Sequence, residues 1–471
     1  MKSPDLWKLI GSLSNKELAR FRKFLHSPYF NKDDKHSQLF ESVLEQVKED
    51  RCDREALDAI LFPYKPYEYT RITNLISDLK KLLEQFFVEE HLRSDGFFEE
   101  FFLLQEMAER KLDKAFGQSQ NRLEKILSKS RIKGEEELLQ QYLIEDISYE
   151  QSGDRTYLDK KIKGLHLFYI QSMLIAVCED LSHRKLLIEA SDKIPHKFFI
   201  QYILENEGLY RKDIILQLYI SVLRIQLFTN QAEKVEAFQT EWLRYQETLP
   251  AKTRKKIFYL IHRQAQKHKK QGITDRLRYY TSFYKQVLKS TWIWEEEFLD
   301  LEAARDILFF LLEVDEREEV EYFLNTFRQK EIVYPLSSEF FNACYLSTLS
   351  ERQREALKIL DTDAFTTFEF GEEAYSLALK LSFYLYEDEI LQHSLHRITQ
   401  YLKKKTASSE EKEDWKLSKR FIGKLLKLRR QHKLSAPSLF SKRLEKLIRE
   451  IQVSHEFPLK HWLMNCLEGL R

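Results

Sequence analysis

The chain has little with which to make tight turns: eleven glycines and nine prolines are scattered through 471 residues. A β-rich fold of this length needs many reversals at positive φ, which glycine alone adopts without steric penalty. So few turn formers predict helices joined by short corners, with positive-φ turns scarce. Hydrophobic residues make up 43% and aromatics 13%, enough to fill a core and too much for a chain disordered throughout. The length suits two to four ordinary domains or one elongated array.

The formal net charge is +1, so no global field draws the chain to nucleic acid or membrane. Cys52, Cys178, Cys344 and Cys466 are far apart and form no CxxC; they read as free thiols of a reducing compartment. The opening "MKSPDLWKLIGSLSNKEL" lacks the sustained apolar stretch and cleavage site of a signal peptide. No run approaches the roughly 18 apolar residues of a membrane span. The expectation is a cytoplasmic protein without a membrane partner.

Ser14 and Glu17 form an S-x-x-E capping box ahead of "LARFRKFL". That helix is predicted to stop by Ser27, because a residue before proline is biased away from helical ψ. In "SPYFNK" both rings, Tyr29 and Phe30, are expected to turn back onto the core and lock the corner. A second aromatic-proline corner, "LFPYKPYEY", precedes a long helix striped by Ile72, Leu75, Ile76, Leu79, Leu82, Leu83, Phe86 and Phe87. Residues 1–92 therefore read as a compact helical unit.

From residue 93 to about 405 helical periods follow one another in pairs. "DIILQLYISVLRIQLF" is joined by "TNQAEK" to "VEAFQTEWLRYQ", and "RKKIFYLIHRQAQKHKK" through Gly272 to "DRLRYYTSFYKQVL". "EFFNACYLSTL" leads to "REALKIL", and "EEAYSLALKLSFYLY" to "EILQHSLHRITQYL". Over residues 130–405 these pairs resemble the tetratricopeptide-repeat (TPR) superfamily, although its Trp-Leu-Gly-Tyr…Ala…Pro pattern is not legible in any one hairpin. The resemblance implies stacked hairpins with a long concave surface that holds another macromolecule. The first 90 residues resemble an uncharacterised all-helical family of Bacteroidota, which implies no activity. Within them, "EALDAILFPYKPYEYTRITNLISDLKKLLEQFF" resembles the helical part of winged-helix regulators, but "RSDGFFEEFF" reads as helix where the wing would sit.

Catalytic patterns are missing from the sequence. The glycines stand too far apart for G-x-G-x-x-G or a Walker loop, so no phosphate-cradling turn and no cofactor is expected. His393 and His396 share a helix face but lack partner ligands, and a polar surface accounts for them. His262 and His268 lie among lysines and read as part of a solvated face. Neither G-x-S-x-G nor a cysteine-nucleophile context occurs, and Glu372 and Glu373 are adjacent rather than spaced for acid–base work. No catalytic, cofactor or metal residue is assigned.

Charge supplies the one distinctive pattern. On a wheel of "EEKEDWKLSKRFIGKLLKLRRQH", Leu417, Phe421, Leu425 and Leu428 form the centre of an apolar face. Lys412, Lys416, Lys419, Arg420, Lys424, Lys427 and Arg430 lie opposite as one basic stripe, either an outer solvated face or a contact for a partner or for phosphates. Upstream, Glu295, Glu302, Asp306 and Glu313 line up as an acidic counterpart that could meet the stripe or lie on a separate surface. Leu459, Trp462, Leu463, Cys466 and Leu470 follow helical spacing and are expected to cap the array.

The expectation is an all-α protein. A compact helical unit (1–92) precedes an irregular TPR-like α-solenoid (93–405), then a basic amphipathic helix with capping helices (406–471). The leading function is a non-enzymatic scaffold for a protein or peptide partner. The alternative is a nucleic-acid-associated factor using the stripe, and an unrecognised enzyme comes third. The sequence does not set the oligomeric state.

Overall fold

Ser14 closes the capping box that its sequence predicts: its backbone N–H donates to Glu17 Oε2 at 2.7 Å, and the Glu17 N–H donates to Ser14 Oγ at 3.3 Å. This is one of many helix starts in a computed structural model describing residues 5–129, 132–183, 196–227, 232–270, 277–295, 299–329, 335–405, 407–431 and 437–470. Of the joint expected at 229–234, residues 229–231 lie outside the described residues and residues 232–234 already belong to a helix; Gly272 also lies outside the described residues. Among those described, 23 α-helices follow one another and no strand occurs. None is long and apolar enough to cross a membrane. The helices gather into two units, one of Met1–Ala176 with Asp213–Leu216 and Thr248–Pro250, the other of Val177–Lys212, Gln217–Glu247 and Ala251–Arg471.

The first unit holds α1 (Asp5–Gly11), α2 (Asn15–Leu25), α3 (Lys35–Lys48), α4 (Arg54–Leu61), α5 (Tyr69–Ser94), α6 (Gly96–Glu109), α7 (Asp113–Leu127) and α8 (Glu135–Ser152), with most of α9 (Arg155–His183). Phe21 of α2 centres its core, 5.0 Å edge-on to Phe40 and 5.1 Å from Phe86. Burying such a ring contributes about 1.5–3 kcal/mol. The first corner is built differently from the sequence reading. Phe30 does turn back, stacking on Phe24 at 4.2 Å, but Tyr29 is 83% exposed. Asn31 is the residue that locks it. Its buried amide donates to the Leu25 carbonyl at 2.9 Å, while its Oδ1 accepts from the Asp33 N–H at 3.1 Å and lies 2.8 Å from His36 Nδ1. One side chain thus ends α2 and starts α3. At the second corner Arg71 grips buried Asp58 with two hydrogen bonds, 2.6 and 3.1 Å, and lies 4.3 Å over the Phe62 ring. A second cluster joins Phe97, Phe101 and Leu104 of α6 to Phe116, Leu123 and Ile144. A helix therefore occupies the position where a wing would need a hairpin.

The scarcity of glycine is met in a way the composition does not suggest. Asp50, Lys111, Asp315 and Tyr386 take left-handed φ of 49°, 55°, 55° and 61° just past α3, α6, α15 and α19. In each case the next residue's N–H reaches back to a carbonyl of the helix: Arg51 to Gln46, Leu112 to Met107, Glu316 to Leu311 and Glu387 to Ser382, at 2.8–3.0 Å. These are Schellman closures, made with ordinary side chains where glycine is usual.

The second unit holds α10 (Lys197–Glu205), α11 (Ile214–Leu227), α12 (Ala232–Tyr245), α13 (Ala251–Lys270), α14 (Leu277–Leu288), α15 (Leu301–Glu313), α16 (Arg317–Arg328), α17 (Pro335–Thr348), α18 (Gln353–Leu360), α19 (Gly371–Tyr384), α20 (Asp388–Lys404), α21 (Ser409–Gln431), α22 (Pro437–Val453) and α23 (Lys460–Glu468). The first residues of α11 belong to the other unit. From α13 to α22 each helix packs on the next in sequence, and α15, α17 and α19 also touch in turn. Gly371 makes the approach at the start of α19 feasible. A Cβ there would stand 2.2 Å from the Phe365 carbonyl oxygen and 2.7 Å from the Tyr401 ring. At the C-terminal end α23 packs on α21 and α22, burying Trp462, Leu463, Cys466 and Leu467; Leu470 is half-buried. All four cysteines are free, with Cys52 exposed and the others buried.

Candidate functional site

The alternating contacts of α15, α17 and α19 leave an open groove of about 970 Å³ along one side of these helices. Phe340, Phe368 and Phe370 are buried beneath it, and Phe309, Leu312 and Leu377 stay half-exposed to it. Charges line its sides: Glu302, Glu369, Glu372 and Glu373 among the acids, Arg305, Lys380, Lys404 and Lys405 among the bases.

Arg305 is held firmly. Its Nε and Nη2 both donate to Asp306 Oδ1 at 3.0 Å, Nη1 donates to Glu373 Oε1 at 3.3 Å, and the guanidinium lies 4.7 Å over the Phe370 ring. Asp306 is itself anchored from α13. The Gln266 amide donates to its Oδ2, and His262 Nε2 stands 3.6 Å away. Behind it, His262 Nδ1 is 2.9 Å from the Tyr284 hydroxyl. Burial alone would push the Asp306 carboxyl up, but His262 and Arg305 together hold it below its usual value. The sequence reading of a solvated face is therefore corrected. His262 and His268 are 5% and 2% exposed, the latter 3.0 Å from the Tyr280 hydroxyl through Nδ1. On α13 these two histidines cross-link to α14, while Lys252 and Arg263 are exposed and Lys267 and Lys269 are half-buried, with Lys267 donating to the Leu181 carbonyl and Lys269 pairing with Glu313.

Lys380 is half-buried and takes no carboxylate partner among the described residues; burial holds its ammonium below the usual range. Burial likewise pushes the Glu372 carboxyl up, opposed by the Trp415 indole N–H donated at 3.0 Å. These two perturbed groups lie eight residues apart on α19, about 12 Å along its axis. That is too far for paired proton transfer at one atom. The groove is suited to binding: an apolar floor with fixed charge at its sides. Comparison with protein-family models, curated proteins and solved structures finds no match for the chain.

The sequence-assigned basic residues lie on α21. Lys416, Lys419, Arg420, Lys427 and Arg430 are exposed, and Lys412 and Lys424 are half-buried. Lys416 pairs with Glu413 at 2.5 Å, Lys424 with Glu450, and Arg430 with Asp388 at 2.7 Å. Lys412, Lys419, Arg420 and Lys427 take no carboxylate among the described residues. On the inner side Phe421, Leu425 and Leu428 are buried and Leu417 is half-buried. Of the acidic stripe, Glu313 pairs with Lys269 at 2.8 Å and Asp306 with Arg305, while exposed Glu295 and Glu302 take no cation among the described residues; just beyond it, Lys285 pairs with Glu316 and Glu319 at 2.5 and 3.2 Å. His393 and His396 are exposed on α20, and no three metal-ligating side chains cluster among the described residues. Sequence reasoning missed Arg305 and Lys380. A signal existed for the latter, the one cation inside the apolar run "AYSLALKLSFYLY".

Proposed function

We propose that the chain is a non-enzymatic, TPR-like helical scaffold of the cytoplasm whose α15–α17–α19 groove holds an extended segment of a partner protein. The observation that carries this reading is the groove itself, lined by the first helices of three successive pairs above an aromatic floor. Its fixed features are Arg305, held on three sides, and Lys380, a desolvated cation without a carboxylate among the described residues. A half-buried ammonium left unpaired favours an occupant that supplies an anionic group. Free cysteines throughout support a reducing setting.

The test is site-specific photocrosslinking in the host cell, with a benzophenone amino acid at Ser376 in the groove or at exposed Lys358 on α18. The same partner segment should be captured at Ser376, in nuclease-treated lysate too, and not at Lys358. Capture should fall several-fold in Arg305→Ala and Lys380→Ala variants. Identical patterns at the two positions, or capture indifferent to both substitutions, would sink the reading.

A further inference from the structure

The cations of α21 do not stand alone. α22 runs antiparallel beside it: Arg443 Nη1 donates to Gln431 Oε1 at 2.7 Å near the turn, and Lys424 pairs with Glu450 farther along. This pairing brings a second row, Lys442, Lys446 and Arg449, next to the row Lys416, Arg420, Lys424 and Lys427. Lys442, Lys446 and Arg449 are exposed and take no carboxylate among the described residues. The rows converge on Glu450. Lys424 chiefly, with Lys446 and Arg420 adding, holds that carboxyl below its usual range. One carboxylate surrounded by three cations from two helices leaves a net positive seam that the wheel of a single helix could not reveal.

We propose that the α21–α22 face is a nucleic-acid contact that grips the phosphate backbone without reading sequence, an activity separate from the groove. Spacing favours this occupant. Steps of three and four residues set successive cations about 4.5–6 Å apart along each helix, and a strand carries one charge per about 3.4 Å. Each row therefore offers one cation for about 1.3–1.8 strand charges. A lipid surface fits less well, because the apolar side chains of both helices, Phe421, Leu425, Leu444 and Ile448 among them, are buried in packing. The exposed Leu439 and Val453 lie at opposite ends of α22 rather than between the rows. No exposed aromatic stands in either row to stack on bases, so contact is with phosphates and blind to sequence.

The test is fluorescence anisotropy with a labelled DNA duplex of about 20 bp and an RNA of about 20 nucleotides, titrated from about 50 to 300 mM salt. Four to six neutralised phosphates should give a log–log slope of about −3 to −5. The variant R420E/K427E/K446E/R449E should bind at least tenfold more weakly. So should R420Q/K427Q/K446Q/R449Q, which avoids placing new acids on the face, provided both keep the wild-type helical circular dichroism. The control K16E/K48E/K114E/K129E makes the same charge change at exposed lysines of the other unit and should stay within twofold. Absence of binding at the lowest salt, or an equal loss in the control, overturns the proposal. So does tighter binding of polyglutamate or phosphatidylserine vesicles that the same face variants abolish; that result gives the face to an acidic protein or a lipid.

Discussion

At Gly371 there is no room for a methyl group, while at Gly117, inside α7, nothing lies within 4 Å of the added Cβ. The same substitution should therefore act in opposite directions. Gly371→Ala is expected to destabilise by about 1–3 kcal/mol through overpacking. Gly117→Ala should stabilise by about 0.5–1 kcal/mol as a half-buried but uncrowded helix interior loses its glycine. Urea melts of both variants decide this. Two buried carboxylates give a similar contrast in pH. Glu145 is 8% exposed, its Oε2 lacks a hydrogen-bond partner, and burial raises its pKa. The folded state therefore keeps its proton longer, and its contribution is best below the ordinary carboxylate pKa and lost as pH rises through the raised one. Glu145→Gln should be more stable than wild type at neutral pH, with the gap closing in acid. Asp306 behaves oppositely. Its folded pKa is lowered, so its stabilisation is complete above the ordinary value and lost as pH falls through the lowered one. Asp306→Asn should flatten the acid limb of stability against pH and release Arg305. If the acid limbs of variant and wild type superimpose, the anchoring of Arg305 by Asp306 is not energetically significant.

Helix starts and stops were legible at the scale of elements because they are local. Ser14 with Glu17, the stripe from Ile72 to Phe87, and the paired periods around α17–α20 are each set by residues within a few turns of one another. What the sequence hid depends on contacts across elements. Asn31 looks like any loop asparagine until the carbonyl of Leu25 is folded over it. His262 looks solvated because Arg263 adjoins it and lysines stand on both sides along α13, and only packing against α14 reveals which side of α13 is inside. The groove was invisible for the same reason, since it exists only where α15, α17 and α19 meet. The joints also escaped notice. Few glycines pointed to short corners and scarce positive-φ turns, but gave no sign that the chain would close helix ends in that conformation with Asp50, Lys111, Asp315 and Tyr386. A side chain in this conformation costs about 1–2 kcal/mol, so Lys111→Gly and Asp315→Gly should each raise stability by about 1 kcal/mol. Unchanged or lowered urea midpoints would mean that the left-handed joints do not carry that strain.

Across the whole molecule, positive and negative charge nearly cancel in number, yet each surface uses them differently. Glu313 of α15 and Glu319 of α16 pair with lysines of α13 and α14, whereas the cations of α21 and α22 outnumber the carboxylates near them. A net charge of +1 hides this separation, because a sum over the whole chain carries no information about where the charges lie. Thiols are distributed just as unevenly. Burial raises the pKa of all four thiols, but Cys178, Cys344 and Cys466 are buried and Cys52 is the exposed sulfur. A thiol-reactive dye on the alkaline side of neutral should therefore label the native wild-type chain at one position, and all four cysteines only after denaturation; mass spectrometry of the labelled peptides would verify it. The protein thus arrives with its own optical tag site, remote in sequence from both the groove and the basic face. Partner and polyanion titrations could then be followed on an unmutated molecule.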